Sequence, residues 1–166
     1  MISKLFVMET VRLFKRKIYD RLLQWKEQSN GKSALLIEGA RRIGKSTVVK
    51  TFARNEYESF IIVDFTTCSQ EVKDLFNDVS DLNYIFLRLQ LAYGVQLKER
   101  KSLIVFDEVQ FQPLARQAIK SFVEDHRYDY IETGSLISIR KNVKDILIPS
   151  EEMKIPVYPI DYLNGA

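Results

Sequence analysis

Short apolar runs alternate along this chain with stretches whose apolar residues recur every three or four positions. The continuous runs predict buried strands at 34–37, 60–63, 103–106 and 130–134. A fifth predicted strand, 154–160, contains two prolines, which favour an edge position or an irregular strand. The periodic stretches predict helices at 17–28, 45–53, 83–93 and 113–124. Continuous apolar strands that alternate with helices predict an α/β fold, with a parallel sheet of about five strands between two helical layers.

Nothing in the sequence divides the chain into several domains. Its 166 residues contain only 6 glycines and 4 prolines, and no repeat or polar linker is visible. We expect residues 1–30 to form an N-terminal segment and a helix that pack on the core, with Gly31 in the position of a helix stop. Residues 31–166 are expected to form the core as a single domain. The apolar start, residues 1–8, is interpreted as a flexible or packing segment rather than a signal peptide.

Composition and charge narrow the class of protein. The apolar fraction of 46% is typical of a folded globular protein, and a net charge of +3 is too small to indicate nucleic-acid binding. Cys68 is the one cysteine, so no intrachain disulfide can form, which favours a reducing, cytoplasmic location. No apolar run approaches the roughly 18 residues that a membrane span requires.

One segment matches the phosphate-binding loop G-x-x-x-x-G-K-S in full, between a predicted strand and a predicted helix. Its residues are Gly39, Ala40, Arg41, Arg42, Ile43, Gly44, Lys45 and Ser46. The glycines allow backbone N–H groups to surround a phosphate, and the following helix N-terminus adds partial positive charge. We expect Lys45 to contact the β- and γ-phosphates, Ser46 to bind Mg²⁺ and Thr47 to help hold the α-phosphate of ATP. The side chains of Arg41 and Arg42 are expected to point into solvent.

Two acidic residues, Asp107 and Glu108, follow the predicted strand 103–106. They would lie at the carboxyl edge of the sheet, where ligands of open α/β sheets bind. In combination with the loop they predict that Asp107 holds Mg²⁺ through its water shell and that Glu108 polarises a water for attack on the γ-phosphate. A solvated acidic turn is the alternative. Gln110, two residues further on, is expected to be an ordinary surface residue.

The fourth predicted strand ends in polar residues. Thr133 and Ser135 are both candidates to contact the γ-phosphate or the attacking water. An ordinary helix N-cap at Ser135 is an equally good interpretation of that residue.

The amino-acid sequences of three segments resemble those of a family of prokaryotic AAA-type ATPases. In this family the ATPase domain is followed by a second, poorly characterised domain. These segments are residues 36–46 (LIEGARRIGKS), 106–110 (FDEVQ) and 131–135 (IETGS), and the resemblance covers about residues 15–163. It implies a three-layer P-loop NTPase core with strand order 5-1-4-3-2, and it implies ATP and Mg²⁺. It also implies that this chain carries only the ATPase domain, without the helical lid and the C-terminal domain. An arginine finger is not assigned, and the candidates by position are Arg116, Arg127 and Arg140.

These observations predict an ATP-binding protein that hydrolyses ATP with Mg²⁺. The alternatives are a nucleotide-dependent binding switch with little or no turnover, and a truncated remnant of a larger ATPase. A small-molecule kinase is disfavoured, because the strand 60–63 lies between the loop strand and the Asp-Glu strand, as in the additional-strand division of P-loop ATPases. The sequence leaves open whether the protein forms a homo-oligomer or binds a protein partner. No motif supports nucleic acid as a partner.

Overall fold

The computed structural model describes residues 2–39, 44–135 and 152–157. Its helices are α1 (Ile2–Ser29), α2 (Lys45–Glu56), α3 (Gln70–Asp74), α4 (Leu82–Tyr93), α5 (Pro113–Gln117) and α6 (Ile119–Asp125). Its strands are β1 (Ala34–Gly39), β2 (Ser59–Asp64), β3 (Ser102–Asp107), β4 (Asp129–Gly134) and β5 (Glu152–Val157). Two short 3-10 turns, Leu75–Asn77 and Val109–Phe111, follow α3 and β3.

All five strands form one parallel sheet in the order β2-β3-β4-β1-β5. Counted from the other edge, this is the order 5-1-4-3-2 that the resemblance implies, so the predicted fold class is confirmed. β5 forms an edge, as its prolines predict, and it pairs with β1 over the full length of both strands. In this order β1 lies between β4 and β5, and β3 lies on the other side of β4.

The sheet is covered on both faces, which gives the three predicted layers. On one face, α1 and α2 pack against strand residues such as Leu35, Val105 and Ile131. On the other face, residues of α3 to α6 pack against Ile104 and Phe106. Successive residues of β3 thus enter opposite cores, which explains why the strands are continuous apolar runs.

Helix α1 is longer than the sequence pattern predicts, because it begins at Ile2 rather than near residue 17. The sequence contains no glycine or proline before Gly31, so nothing in the backbone chemistry interrupts the helix. The prediction started late because Leu5 and Phe6, which are 66% and 61% exposed, do not follow the apolar spacing of a packed helix. The helix ends where predicted, as Asn30 and Gly31 both have positive φ angles.

The predicted helix 113–124 is interrupted at Ala118, which separates α5 from α6. Its apolar face continues through the interruption, since Ala115 and Ile119 are both fully buried. The short helix α3, which lies between β2 and α4, has no counterpart among the predicted helices. Of the helices that the structure describes, none has the length and the apolar content to cross a membrane.

Candidate functional site

The loop between β1 and α2 begins at Gly39 and leads into Lys45, the first residue of α2. Gly44 immediately precedes the helix with φ 78°, a left-handed conformation that strongly favours glycine. The predicted contacts of Ala40, Arg41, Arg42 and Ile43 lie outside the described residues.

Lys45 carries a buried ammonium group, since the residue is only 1% exposed. Its Nζ donates to the carbonyl oxygen of Gly39 at 3.3 Å and lies 3.5 Å from Oε1 of Glu108. A buried cation requires such partners, because an unpaired charge inside a protein costs several kcal/mol. The first residue of α2 is therefore linked both to the end of β1 and to the residue that follows β3.

Side chains from two other elements, α2 and β4, contact Asp107, the last residue of β3. The Ser46 hydroxyl, on the first turn of α2, donates to Oδ1 of Asp107 at 3.0 Å. The hydroxyl of Thr133, on β4, donates to the same oxygen. Since β3 and β4 are neighbours in the sheet, the pairing of the strands brings Thr133 within reach of Asp107. The predicted metal ligands Ser46 and Asp107 are thus in direct contact.

Burial raises the pKa of Asp107 above the ordinary value of an aspartate, and this is the largest effect on it. The hydroxyl donors Thr133 and Ser46 lower the pKa in part, while the nearby carboxylates Asp64 and Glu108 raise it further. Asp64 is the register partner of Asp107 at the end of β2. This cluster of acidic groups at one sheet edge would be relieved by a cation.

Glu108 is held at three points. Its backbone has φ 55° and ψ 52°, and its N–H donates to the hydroxyl oxygen of Thr133 at 3.1 Å. Its carboxylate faces the Lys45 ammonium through Oε1 and accepts from Nε2 of Gln110 through Oε2 at 2.6 Å. The residue is only 5% exposed, so the alternative of a solvated acidic turn does not describe it.

Gln110 is not the surface residue that we expected from the sequence. It is 9% exposed, and its amide is directed back at Glu108 by the 3-10 turn Val109–Phe111. Its position two residues after Glu108 is the only signal in the sequence. A polar residue at such spacing is common on surfaces, which is why its burial could not be foreseen.

The remaining predicted site residues lie at the same edge with fewer contacts. Thr47 is exposed on the first turn of α2, directly after Ser46. Ser135 follows the end of β4 and is half-buried. The helix that Ser135 was expected to cap would begin outside the described residues, so that interpretation stays a prediction.

The two arginine candidates that the structure describes both form ion pairs within the chain. Arg116 is 2% exposed in α5 and lies 3.4 Å from the fully buried carboxylate of Glu132. Arg127 precedes β4 at the opposite, amino edge of the sheet, where it pairs with Asp125. Arg140 lies outside the described residues. Both described candidates are therefore paired with a carboxylate of the same chain, and Arg127 lies at the edge opposite the site.

The sequence was compared with protein-family models and with curated proteins. A family model described as an AAA domain matches residues 31–163, which include every residue of the site. Helix α1 lies before the matched range. No curated protein matches the chain.

Proposed function

The chain belongs to the AAA domain family, and on that premise we propose that it binds Mg-ATP at the carboxyl edge of its sheet and hydrolyses it to ADP and phosphate. One observation carries the proposal. A buried lysine, a hydroxyl and an Asp-Glu pair, supplied by α2 and β3, contact one another at the end of the loop strand. Phosphoryl transfer requires little more than positioned charges of this kind.

The phosphates of ATP would lie in the loop that starts at Gly39, against the N-terminus of α2. Lys45 would exchange its contact with Glu108 for the β- and γ-phosphates, because both are anionic partners for the same ammonium group. Thr47 follows on the first turn of α2 and would contact the α-phosphate. The residues 40–43 would add backbone N–H donors.

Ser46 and Asp107 would hold Mg²⁺. Both present oxygen atoms, which this cation prefers, and Mg²⁺ is usually bound by one or two carboxylates together with substrate phosphates. Asp107 fits this role because burial makes its ionised form unfavourable without a nearby cation. Bound Mg²⁺ would neutralise charge on the β- and γ-phosphates. Thr133 would keep the Asp107 carboxylate in position.

Glu108 would accept a proton from the attacking water, with Thr133 and Ser135 as candidates for contacts to the γ-phosphate or to that water. Its carboxylate lies beside the lysine that would hold the γ-phosphate. A carboxylate so close to this ammonium group would be within reach of a water beside the γ-phosphate.

A second function, a nucleotide-dependent switch with little turnover, is favoured by the contacts of the same carboxylate. Lys45 and Gln110 engage both oxygens of Glu108. An ammonium group beside a carboxylate stabilises the ionised form and so makes the carboxylate a weaker base. If Lys45 keeps its contact with Glu108 when ATP is bound, the protein would bind ATP and release it unchanged.

Two substitutions separate these proposals from each other and from the absence of a site. ATP affinity, measured by titration calorimetry, is expected to fall roughly 10- to 100-fold in Lys45→Ala, because a charge-assisted contact is lost. Lys50→Ala, on an exposed position of the same helix, is the control and should bind as the wild type does. Equal affinity in the wild type and Lys45→Ala would exclude the nucleotide site.

Hydrolysis is measured as phosphate release under saturating Mg-ATP. Glu108→Gln is expected to keep ATP affinity and to lower turnover on the order of 10²-fold or more, as loss of a general base does. If the wild type releases phosphate no faster than Glu108→Gln while both bind ATP, the switch is the correct function.

A further inference from the structure

The first half of helix α1 extends past the start of α2. Near the start of α2, a methyl group placed on Gly44 would lie 3.5 Å from Cε of Lys15. At the end of α2, the ammonium group of Lys26 donates to the carbonyl oxygen of Glu56 at 2.8 Å. The two helices therefore run in the same direction. At 1.5 Å per residue, the part of α1 before Lys15 continues for about 20 Å beyond the first turn of α2.

This part of α1, residues 2–14, is called the α1 extension, and its surface is apolar and basic. Residues 4–17 contain five basic residues and one acidic residue, Glu9. Its large apolar side chains are between 49% and 66% exposed, and they are Leu5, Phe6, Val7, Met8 and Leu13. A patch of this kind at one end of a helix is typical of a surface that binds a partner.

The basic and apolar side chains of the α1 extension share one side of the helix. Lys4, Met8 and Arg12 recur every four residues, and Leu5 lies beside them. Both basic residues are exposed, and within the described part of the chain neither forms an ion pair. A partner for this side would have to offer carboxylates next to apolar surface.

Helices α3 and α4 carry a surface with this composition. A pocket of about 300 Å³ beside them is lined by four acidic residues and by no basic residue. A second pocket of about 190 Å³ shares Glu71 and Leu75 with the first and continues along α4 to Leu91. The two pockets together are called the acidic groove. Exposed apolar side chains on one side of α4 border it, and these are Tyr84, Leu87 and Leu91.

Most of the negative charge in the acidic groove is not neutralised within the described part of the chain. Arg88 pairs with Glu71, but the other three carboxylates, Asp74, Asp78 and Asp81, form no ion pair there. Their hydrogen-bond donors are neutral groups, such as the N–H of Ser80 for Asp78. A basic apolar helix therefore matches this groove in charge and in apolar content.

The two matching surfaces lie on opposite faces of one sheet. Helix α1 packs with α2 on one face, whereas α3 and α4 pack on the other. Since α1 is a single continuous helix, one molecule cannot place its own extension in its own acidic groove. The contact is possible only between two molecules, and it joins different surfaces of the two partners.

We propose that the α1 extension of one molecule docks in the acidic groove of a second copy of the chain. Leu5 and Met8 would cover the apolar side of α4, while Lys4 and Arg12 would pair with the carboxylates of the groove. Each molecule in such a head-to-tail contact keeps one free extension or one free groove, so further copies can be added. The inference does not depend on the proposed function.

Charge reversal on each surface tests the contact, with self-association of the full chain measured by sedimentation velocity. The wild-type mass is expected to rise as the concentration approaches roughly 300 µM, because an interface of this size binds weakly. The rise should be smaller at about 0.5 M salt than at about 0.05 M salt. The double variants Lys4→Glu/Arg12→Glu and Asp74→Lys/Asp78→Lys should each associate at least about tenfold more weakly.

An equimolar mixture of these two double variants should associate again. The native extension of one variant meets the native groove of the other, and the two reversed surfaces also match in charge. Recovery in the mixture shows in addition that both variants are folded. Matched reversals at exposed positions outside both surfaces, Lys50→Glu/Arg54→Glu and Glu99→Lys/Glu124→Lys, should associate as the wild type does.

Three results would overturn the proposal. The first is a wild-type chain that stays monomeric over the whole range, including one that instead sediments with phosphatidylserine vesicles through its basic helix. The second is undiminished association of Asp74→Lys/Asp78→Lys, which would show that the α1 extension binds a different surface. The third is a mixture of the two double variants that stays monomeric while the wild type associates.

Discussion

Glu108 has a left-handed backbone conformation, and each oxygen of its carboxylate has a partner. Its left-handed conformation costs a residue other than glycine about 1–2 kcal/mol. The hydrogen bond from its N–H to Thr133 helps to hold this conformation, and the carboxylate is thereby directed at Lys45 and Gln110. Strain of this kind persists where surrounding contacts enforce it, and it is concentrated at functional sites.

Gln110 is expected to act as a positioning residue for Glu108. In Gln110→Leu the carboxylate loses the donor on Oε2 but keeps its neighbour Lys45. We expect kcat for ATP hydrolysis to fall roughly tenfold with KM unchanged, because an interaction that serves only the chemical step is removed. Gln112→Leu, two residues further along and directed at a carbonyl of α3, is the comparison that should not alter kcat. A rise in KM with unchanged kcat would place Gln110 in substrate binding instead.

Asp107 is expected to lower the stability of the protein in the absence of divalent cations. Its pKa is raised by folding, so its ionisation opposes the folded state above the pKa of the unfolded chain, and the cost disappears at low pH where both states are protonated. Asp107→Asn should therefore unfold at a temperature higher by a few degrees at pH 7 in EDTA. The difference should shrink as the pH falls. A lower unfolding temperature at pH 7 would mean that the hydrogen bonds from Ser46 and Thr133 outweigh the burial of charge.

The sequence predicted which side chains come together at the site. It did not predict all of the hydrogen bonds and ion pairs that buried polar residues form. Lys45, Ser46 and Asp107 lie at ends of elements that a parallel sheet brings to one edge, so spacing and apolar pattern were sufficient to group them. The burial of Arg116 could not be predicted in this way, because its partner Glu132 lies in β4, a short strand that contains several polar residues. Roles for these residues in catalysis stay predictions until the variants are measured.

Helix α1 is attached to the core by a single stripe of apolar residues. Phe14, Ile18, Leu22 and Trp25 are buried at the spacing of one helix face, and they contact the same core as Phe52 of α2. Residues before Phe14 contribute little to this stripe. The part of the stripe from Ile18 to Trp25 was therefore predicted from its periodicity, whereas Phe14 and the extension toward Ile2 were not.

Truncation of the stripe should destabilise the protein. Leu22→Ala is expected to lower the free energy of unfolding by about 2–5 kcal/mol, because the side chain is fully buried and its removal leaves a cavity. Leu13→Ala makes the same change on the same helix at a position that is 55% exposed, and should alter it by less than about 0.5 kcal/mol. Urea unfolding measures both. Equal effects of the two substitutions would show that α1 does not pack as described.

Strands that are buried on both faces were predicted to within two residues at each end. The polar residues that flank an apolar run show where such a strand begins and ends. The sequence contains no comparable signal for the interruption of the predicted helix 113–124 at Ala118. Alanine favours a helix, and the apolar face is continuous across it, so the break depends on how α5 and α6 fit the sheet.

The carboxyl and amino edges of the sheet are expected to contribute to different properties of the protein. The carboxyl edge carries the proposed chemistry, while at the amino edge Asp129 accepts from the Tyr57 hydroxyl at 2.7 Å and from Arg100 at 2.8 Å. Burial, and then the charge of Asp129, raise the pKa of Tyr57 well above its usual range, so its hydroxyl stays a donor at any physiological pH. The contacts at this edge join β4 to the segments that enter β2 and β3.

Substitution at the amino edge is expected to affect stability without affecting the nucleotide site. Asp129→Ala should lower the free energy of unfolding by about 1–3 kcal/mol, because two hydrogen bonds are lost and their donors on Tyr57 and Arg100 are half-buried. ATP affinity at a temperature where the variant is folded should equal that of the wild type. Reduced affinity in a fully folded Asp129→Ala would show that the two edges are coupled.

The order of the strands also has a consequence for how the protein acquires its site during folding. β1, which leads into the phosphate loop, gains its two neighbours only from segments about 100 residues later, since Leu35 pairs with Ile131 and with Met153. Closing loops of that length is entropically costly, and domains dominated by distant pairings fold slowly. A nascent chain that has only reached α4 therefore carries the complete loop motif without either strand that supports it, and nucleotide binding should be among the last properties to appear as the polypeptide is synthesised.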